Sequence, residues 1–463
     1  MMTSWRPDLA RRRGPRYRAI AEALAEDIGR GVLSAGTRLP THRDLAWRLK
    51  VTVGTVSRAY AEAERRGLIA GEVGRGTFVR APASAAPPRY DVEPRGNDYV
   101  DLNIHRPRVP EEATLLADAL KELARSAEAA SLMEYQPHAG MAAEREAGAA
   151  WIARSSGLAA SAAQTVLACG GQHAMAVVLA AATRPGDSVA VEALTYPGIC
   201  AAAALLHVNI VPLALDEQGA VPESFAALCR AGRVRAAYLL PTLQNPTAST
   251  MPVERRQAIA ELAQRHGVLL IEDDAYGFLR ERPLPPLAAF APDHAFYFTS
   301  TSKSLIPGLR VGYVHCPLAL VDRVVAAVRA TTYTAPPLMA RIASRWITDG
   351  TADTLVAAKR AETARRRQLA RRLLDGLDYR GSPESAHLWL SLPEPWQADD
   401  FAAAAHRRGV GVAPASAFAA TRQVANALRL CIGTPPTLAD LERGLHRLRD
   451  LLTAPAAPYL SVV

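Results

Sequence analysis

A short apolar run that ends in a cluster of acids constrains the fold of this chain more than any other segment. The run covers residues 268–271 and is followed directly by Glu272, Asp273 and Asp274. A strand that is apolar at every position must be covered on both faces, which is typical of parallel sheets flanked by helices. Similar runs alternate with alanine-rich segments through residues 99–463. This alternation predicts an α/β domain with a mostly parallel sheet.

Lys303 is the most unusual cation of the sequence. Only four of the 54 lysines and arginines are lysines, namely Lys50, Lys121, Lys303 and Lys359. Lys303 lies in an apolar turn with Ser300, Ser302 and Ser304, and Arg310 follows seven residues later. A desolvated amine can lose its proton near neutral pH and form a Schiff base with an aldehyde, whereas a guanidinium cannot. The hydroxyls and Arg310 are suited to holding a phosphate. The alternative is a loop lysine with a buried stem.

The bulk composition favours a protein of more than one domain. The chain has 463 residues and 49% hydrophobic content, which is enough for a large core. No apolar run reaches the roughly 18 residues of a membrane span. The arginine-rich residues 1–14 lack the apolar stretch of a secretory signal. Five scattered cysteines fit reduced thiols in a cytoplasm, and they indicate neither a disulfide framework nor a metal site.

The positive charge is concentrated at the start of the chain. Residues 1–80 contain 16 lysines and arginines against 8 acidic residues, while the remaining 383 residues contain 38 against 37. Such asymmetry is typical of a small nucleic-acid-binding module joined to a nearly neutral globular domain. Of the net charge of +9, +8 thus lies in the first 80 residues, which indicates a nucleic acid such as double-stranded DNA as their partner.

Residues 1–80 have the element order of a helix-turn-helix with a wing. The sequence predicts helices over 17–30, from Thr41 and from Thr52 to residue 66, and then a hairpin around a glycine-rich tip. In this geometry the third helix enters a major groove. The side chains expected to face DNA are those of Arg43, Thr52, Thr55 and Arg58, with Arg75 on the wing. The alternative is an ordinary small core whose arginines are merely solvated.

This module resembles the winged helix-turn-helix of GntR-family bacterial regulators. The resemblance rests on Leu39 to Ala46, Val51 to Tyr60 and Gly74 to Val79. The family usually has serine where this chain has His42, and often arginine at Val53, so the resemblance leaves the base contacts open. Residues 81–98 contain four prolines among alanines and predict a linker. As a coil it would span roughly 25 Å, and about 60 Å when extended.

Several further motifs follow predicted strands in residues 99–463. They are Gly170-Gly171-Gln172-His173 after a strand at 166–169, Glu192 to Pro197, Leu240 to Thr247, and Leu428-Arg429-Leu430. Acids and polar groups at the carboxyl ends of parallel strands usually face a ligand, although an acid there could also cap a helix. The free amides of a glycine-rich helix start form an anion site. Each motif alone could be a turn or a packing site.

Taken together, these motifs supply the parts of a pyridoxal 5′-phosphate site. Lys303 would form the Schiff base, and Asp273 would keep the pyridine nitrogen of the cofactor protonated. Asn245 and Tyr276 would hydrogen-bond the phenolic oxygen, and Tyr196 would stack on the ring. The residues expected to hold the phosphate are Gly171, Gln172, Ser300, Ser302 and Arg310.

The order and spacing of these motifs resemble the fold-type I aminotransferases over residues 99–450. The resemblance implies a large domain with a mostly parallel sheet and a smaller C-terminal α+β domain. It also implies a homodimer in which Tyr135 reaches the phosphate of the partner subunit's site. A GntR-type module at 1–80, a linker at 81–98 and an aminotransferase-like domain at 99–463 form the arrangement of the MocR subgroup of transcriptional regulators, which this chain resembles.

Three functions are consistent with this arrangement. In the first, the chain is a transcription factor that senses an amine or amino acid by aldimine chemistry at Lys303, with Arg429 pairing with an effector carboxylate. In the second, it is an active aminotransferase with an appended DNA-binding domain. In the third, the cofactor itself is the signal and Arg429 is dispensable. The sequence does not identify the effector or the operator.

Overall fold

The computed structural model describes residues 5–7, 9, 15–29, 33, 37–65, 68–72, 76–79, 96, 98–421 and 424–453. The chain divides into two compact units, Met1–Arg89 and Tyr90–Val463. The predicted wing residue Arg75 lies outside the described residues, as does the predicted linker except for residues 96 and 98.

The described part of the first unit consists of helices and one hairpin. The elements are α1 (Arg16–Gly29), α2 (His42–Leu49), α3 (Val53–Arg65), β1 (Ile69–Glu72) and β2 (Gly76–Val79). Ile20 and Leu24, one helical turn apart on α1, are fully buried and belong to the same core as Val56 of α3. Thr41 caps α2 because its Oγ1 accepts from the Asp44 amide at 3.2 Å. The predicted helix order and antiparallel hairpin are confirmed.

The second unit alternates strands and helices. Its strands are β3 (Val100–Asp101), β4 (Thr165–Ala168), β5 (Ser188–Glu192), β6 (Asn209–Leu213), β7 (Leu215–Asp216), β8 (Gly219–Ala220), β9 (Ala236–Leu239), β10 (Leu269–Asp273), β11 (Ala295–Ser300), β12 (Gly312–His315), β13 (Tyr379–Arg380), β14 (His387–Ser391), β15 (Val410–Gly411), β16 (Ala413–Pro414) and β17 (Ala427–Cys431). Its helices are α4 (Glu112–Arg125), α5 (Ala142–Ser156), α6 (Gly171–Ala182), α7 (Gly198–Leu205), α8 (Pro222–Arg230), α9 (Val253–His266), α10 (Leu287–Phe290), α11 (Thr301–Ser304), α12 (Val321–Thr331), α13 (Pro337–Thr348), α14 (Thr351–Leu373), α15 (Ala398–Arg407) and α16 (Leu438–Thr453).

A seven-stranded sheet in the described residues organises this unit. Its order is β4-β12-β11-β10-β9-β5-β6, and only the pairings of β12 are antiparallel. On β10, Leu270 faces one buried core, whereas Leu269 and Ile271 face the other. The strand is thus covered on both faces, as its apolar run predicts. Asp273 ends the strand at the carboxyl edge of the sheet.

A smaller antiparallel sheet lies later in the chain. Its strand order is β13-β14-β17-β16, and α15 and α16 pack in the same core. This part is the expected smaller α+β domain, and it places Arg429 on β17. The short strand β3 pairs in parallel with β15, which fixes Val100 and Asp101 against this domain. Among the described residues, none of the helices has both the length and the apolar composition needed to cross a membrane.

Candidate functional site

A cavity of about 340 Å³ lies at the carboxyl ends of β9, β10 and β11. The predicted site residues that line it are Gly171, Gln172, Tyr196, Asn245, Asp273, Tyr276, Ser300, Ser302, Lys303, Arg310 and Arg429. Residues from strands far apart in the sequence meet here because parallel strands deliver their carboxyl ends to one edge. The sequence reasoning missed Ile104, His105, Leu240, Ala275 and Phe298, which also line the cavity.

Lys303 extends from the single turn of α11, which begins directly after β11. Its Nζ donates a hydrogen bond to the backbone carbonyl of His105. Burial lowers the pKa of Lys303 to about 8, and the positive charges of Arg429 and Lys359 act in the same direction. A substantial fraction of the amine is therefore neutral and nucleophilic near pH 8.

A glycine and an arginine shape the end of the cavity that is predicted to hold the phosphate. Arg310 donates to Ser302 Oγ at 3.3 Å and to the Cys169 carbonyl at 3.1 Å. Gly170 has φ +84°, and a Cβ there would lie 2.8 Å from the Arg310 guanidinium. Only glycine fits this approach. The next residue, Gly171, begins α6 and lines the cavity, and the free amides of a helix start favour an anion.

Ser304 does not belong to this anion-binding group. Its Oγ donates to the Ser300 carbonyl at 3.2 Å, and the side chain is buried. The expectation that all three serine hydroxyls of this turn form the cradle is therefore wrong for Ser304, because the helical turn of α11 directs its hydroxyl back to the strand. Gln172 and Tyr196 sit together on another wall of the cavity, with the Tyr196 hydroxyl donating to Gln172 Oε1 at 3.1 Å.

Asp273 is a buried carboxyl group with a specific donor. Tyr238 Oη donates to its Oδ2 at 2.6 Å. Burial raises the pKa of Asp273 to about 7, and the Tyr238 hydrogen bond opposes that rise. A cationic ring nitrogen beside this carboxyl would favour its charged form. Tyr238 was not predicted, although a tyrosine within an otherwise apolar buried strand is a signal that a partner is near.

Arg429 crosses from the smaller domain to the cavity. Its Nη1 donates to Asn245 Oδ1 at 2.6 Å, its Nη2 donates to the Asn103 carbonyl, and its guanidinium lies 4.6 Å from the ring centre of Phe418. Because these contacts hold the guanidinium plane in one orientation, an incoming carboxylate would meet a positioned partner.

Tyr276 and Tyr135 differ in their surroundings. Tyr276 is buried, and its ring centre lies 4.4 Å from that of His105 and 5.3 Å from that of His387. Burial holds the pKa of its hydroxyl well above the ordinary value. Tyr135 is 88% exposed, packs edge-on against Tyr333 and does not line the cavity. The expectation that Tyr135 reaches a partner's phosphate stays a prediction.

The residues present fit pyridoxal 5′-phosphate. A Cβ at Gly170 would fill the cradle beside Arg310, the buried Asp273 matches a protonated ring nitrogen, and Lys303 lies in the same cavity. When bound, this cofactor supplies an aldehyde that condenses with amines and a ring that withdraws electrons. The chain supplies a neutral amine, a fixed carboxyl group and a positioned guanidinium.

The first unit presents its predicted DNA-facing residues at the start of α3 and nearby. Arg43 and Thr52 are exposed, and Thr52 caps α3 by accepting from the Thr55 amide at 3.2 Å. The two threonine hydroxyls also lie 2.9 Å apart. Arg58 is exposed, with its guanidinium 4.5 Å from the ring centre of Tyr17. Arg43 thus lies in the first turn of α2, the two threonines lie at the start of α3 and Arg58 lies in the middle of α3. Their contacts with bases stay predictions.

Comparison with known proteins gives two family matches. Residues 97–448 match the family "Aminotransferase class I and II", and residues 16–79 match "Bacterial regulatory proteins, gntR family". A Bacillus subtilis protein described as an uncharacterized HTH-type transcriptional regulator, YdeF, is 35% identical over 97% of both chains. The Corynebacterium glutamicum pyridoxine biosynthesis transcriptional regulator PdxR is 28% identical over 67% of this chain and 68% of its own.

Among solved structures, the second unit is similar to aminotransferases. An archaeal alanine:glyoxylate aminotransferase aligns with a TM-score of 0.71 at 25% identity, covering 76% of this chain and 90% of that one. The match to the aminotransferase family implies pyridoxal 5′-phosphate as the cofactor, and aminotransferase-like folds are usually dimeric. The GntR-type helix-turn-helix implies DNA binding. The chain therefore belongs to the MocR-like transcriptional regulators, in which a GntR-family DNA-binding domain is fused to an aminotransferase class I and II domain.

Proposed function

We propose that this regulator senses an amine or amino acid at Lys303 and answers by changing its affinity for DNA. The observation that carries the proposal is a lysine of lowered pKa that shares a cavity with Asp273 and Arg429 in a chain with a GntR-type module. A DNA-binding module needs no such amine for its own task. A regulator of the bacterial chromosome works in the cytoplasm, and this location is part of the proposal.

Two features of the cavity support an effector that carries a carboxylate. Arg429 is buried and held in one orientation by Asn245 and the Asn103 carbonyl. Such a guanidinium matches the planar geometry of a carboxylate. Lys303 and Arg310 add positive charge around the same space, whereas Asp273 is the carboxyl group that lines it. An amino acid, with an amine for the Lys303 end and a carboxylate for Arg429, complements this arrangement.

The response requires two states that bind the effector differently. In our proposal the protein is a homodimer that binds paired operator half-sites through its two winged helices. The DNA-binding unit of one subunit lies over the second unit of its partner, a span that the predicted linker length allows. Effector binding would favour one arrangement of the subunits and so change the spacing of the two DNA-reading helices.

The test is to titrate amino acids and simple amines into the full-length protein loaded with cofactor, and to record the cofactor spectrum and operator binding in the same samples. We expect at least one compound to change both signals at the same concentration. An Arg429→Ala variant should lose the response to amino acids but keep that to amines without a carboxylate. A spectrum that responds while DNA affinity never changes would contradict the proposal.

A second candidate is that the cofactor itself is the signal. The similarity to the pyridoxine biosynthesis regulator of Corynebacterium glutamicum favours it. In this case DNA binding should differ between the cofactor-free and cofactor-loaded protein with no amine added, and Arg429→Ala should regulate normally. The Arg429 variant therefore separates the two candidates.

Aminotransferase activity is the alternative that the site itself favours, because Lys303, Asp273 and Arg429 line one cavity. Multiple turnovers between an amino acid and a keto acid, at about 1 s⁻¹ or faster, would support an enzyme with an appended DNA-binding module. A single slow half-reaction would instead be expected of a sensor that retains the chemistry of its fold.

A further inference from the structure

Backbone carbonyls of Asn103 and His105 are held by side chains of the candidate site. We call residues 102–107 the post-linker segment because they follow the predicted linker at 81–98. The Asn103 carbonyl accepts from Arg429, and the His105 carbonyl accepts from Lys303. The two cations that would meet an effector are thus bonded to the backbone of the chain that leads towards the DNA-binding unit.

Lys359 of α14 joins this segment to the Lys303 turn. Its side chain is 1% exposed. Its Nζ donates to the carbonyls of Pro107 at 3.0 Å, Lys303 at 3.2 Å and Leu305 at 2.5 Å. Glu112 Oε1 lies 2.7 Å from the same nitrogen and balances the buried charge. One ammonium group therefore connects the carboxyl end of the turn that carries Lys303 with the end of the post-linker segment.

The use of lysine at this position fits the contacts. The chain uses arginine at 50 of its 54 basic positions, so a lysine here is unusual. An ammonium is a compact donor of three hydrogen bonds and can serve carbonyls that converge from different directions, whereas a planar guanidinium presents its donors in a fixed fork. Without a donor, three buried carbonyls would lose their partner, which is costly in an apolar interior.

We propose that Lys359 is a positioning residue that couples the Lys303 turn to the post-linker segment, so that a change of bonding at Lys303 is transmitted to the residues leading to the DNA-binding unit. The proposal rests on the proposed function, because the transmitted change matters only if the second unit controls DNA binding. Lys359 also has an electrostatic effect, since its charge is one of those that lower the pKa of Lys303.

The first experiment is hydrogen–deuterium exchange with mass spectrometry on the full-length wild-type protein, with and without pyridoxal 5′-phosphate as the probe. Attachment at Lys303 changes what the His105 carbonyl accepts, so we expect exchange to change together in peptides covering 100–109 and 301–309. A change confined to 301–309 would overturn the proposal. This measurement needs no variant and cannot be confused with misfolding.

Two variants then separate geometry from charge. Lys359→Met removes both the hydrogen bonds and the charge of Lys359. The cofactor-induced change of exchange in residues 100–109 should therefore fall about threefold or more. The pH midpoint of cofactor attachment at Lys303 should rise above that of the wild type. Lys359→Arg keeps the charge, so its midpoint should stay near that of the wild type while the coupled exchange is still lost. A purely structural role would leave the midpoint unchanged in both variants.

The matched control is Lys121→Met. Lys121 is an exposed lysine paired with Asp118 at 3.0 Å on α4, and we expect its variant to match the wild type in both measurements. The proposal would be overturned if Lys359→Met kept the full exchange change in residues 100–109, or if Lys121→Met lost that change to the same extent. If amines never alter DNA affinity while the two peptides still respond together, the sensing function fails and the coupling stands. If DNA affinity responds but residues 100–109 do not, the coupling alone fails.

Discussion

Arginines buried among fixed partners distinguish the second unit of this protein from the first, whose predicted DNA-facing arginines are exposed. In the first unit, Arg43 and Arg58 lie at the surface. In the second, Arg256, Arg366 and Arg429 are 0%, 2% and 3% exposed and are bonded to backbone carbonyls or polar side chains. Surface charges exchange readily with water and salt, whereas buried charges require fixed partners. The first unit is thus suited to a polyanion, and the second to one small ligand of defined shape.

The most severe test of this contrast is Lys303→Ala. We expect complete loss of covalent cofactor attachment with retention of the fold, because the Lys303 amine is the group in this cavity that can condense with the cofactor aldehyde. Borohydride reduction followed by peptide mapping of the wild type should find the label on Lys303, and the variant should carry none. Label on Lys121 or Lys359 would refute the assignment.

Salt should affect the two units very differently. If about four phosphates are neutralised on binding, raising the salt from about 50 to about 200 mM should weaken DNA binding about 100-fold. Cofactor retention should change by less than about twofold, since the buried charges are screened much less. Isothermal binding curves on duplex DNA, beside cofactor absorbance at the same salt concentrations, measure both. If DNA affinity and cofactor retention depended equally on salt, the contrast between exposed and buried arginines would be contradicted.

Truncation of Arg429 should affect only ligands that carry a carboxylate. For Arg429→Ala we expect the affinity for an effector amino acid to fall about 30-fold, the size expected when charge-assisted hydrogen bonds are lost. The corresponding amine without its carboxylate serves as the matched ligand and should bind both proteins alike. Spectral titrations provide the measurement, and an equal loss for both ligands would indicate a general disturbance of the cavity.

The pH dependence of Lys303 follows from its lowered pKa. Only the neutral amine attacks an aldehyde, so below about pH 8 the rate of cofactor attachment should fall about tenfold per pH unit. Above that pH the rate should level off, because the amine is already neutral. Stopped-flow absorbance on cofactor-free protein measures the profile. A rate that keeps rising towards pH 10 would show that burial does not lower this pKa.

Much of the fold and several site residues could be predicted because their signals are local. The apolar run at 268–271 requires cover on both faces, and the structure places it in the centre of the large sheet. Lys303 could be singled out because lysine is rare in a chain that otherwise uses arginine. The caps at Thr41 and Thr52 follow from residue type and position alone.

The remaining features depend on contacts between distant residues. Lys359 meets Pro107 across 252 positions, and Arg429 meets Asn103 across 326. The hydrophobic periodicity of the sequence does not predict such contacts, because they form only when the sheet and the smaller domain have packed. The expectation for the Ser304 hydroxyl was wrong for a different reason. The serine spacing fits a cradle, but the helical turn of α11 rotates that hydroxyl away.

The close approach of Gly170 to Arg310 offers a simple genetic tool. A Gly170→Ala substitution would add one methyl group at a backbone angle that disfavours it, 2.8 Å from a guanidinium that donates to the Cys169 carbonyl. We expect the resulting variant to bind its promoter but not the cofactor, so it should no longer respond to the proposed effector. Transcripts can then be compared between a strain that carries this variant and its parent. The genes whose expression differs would define the regulon, and the genes that no longer respond would indicate the class of compound that the protein senses.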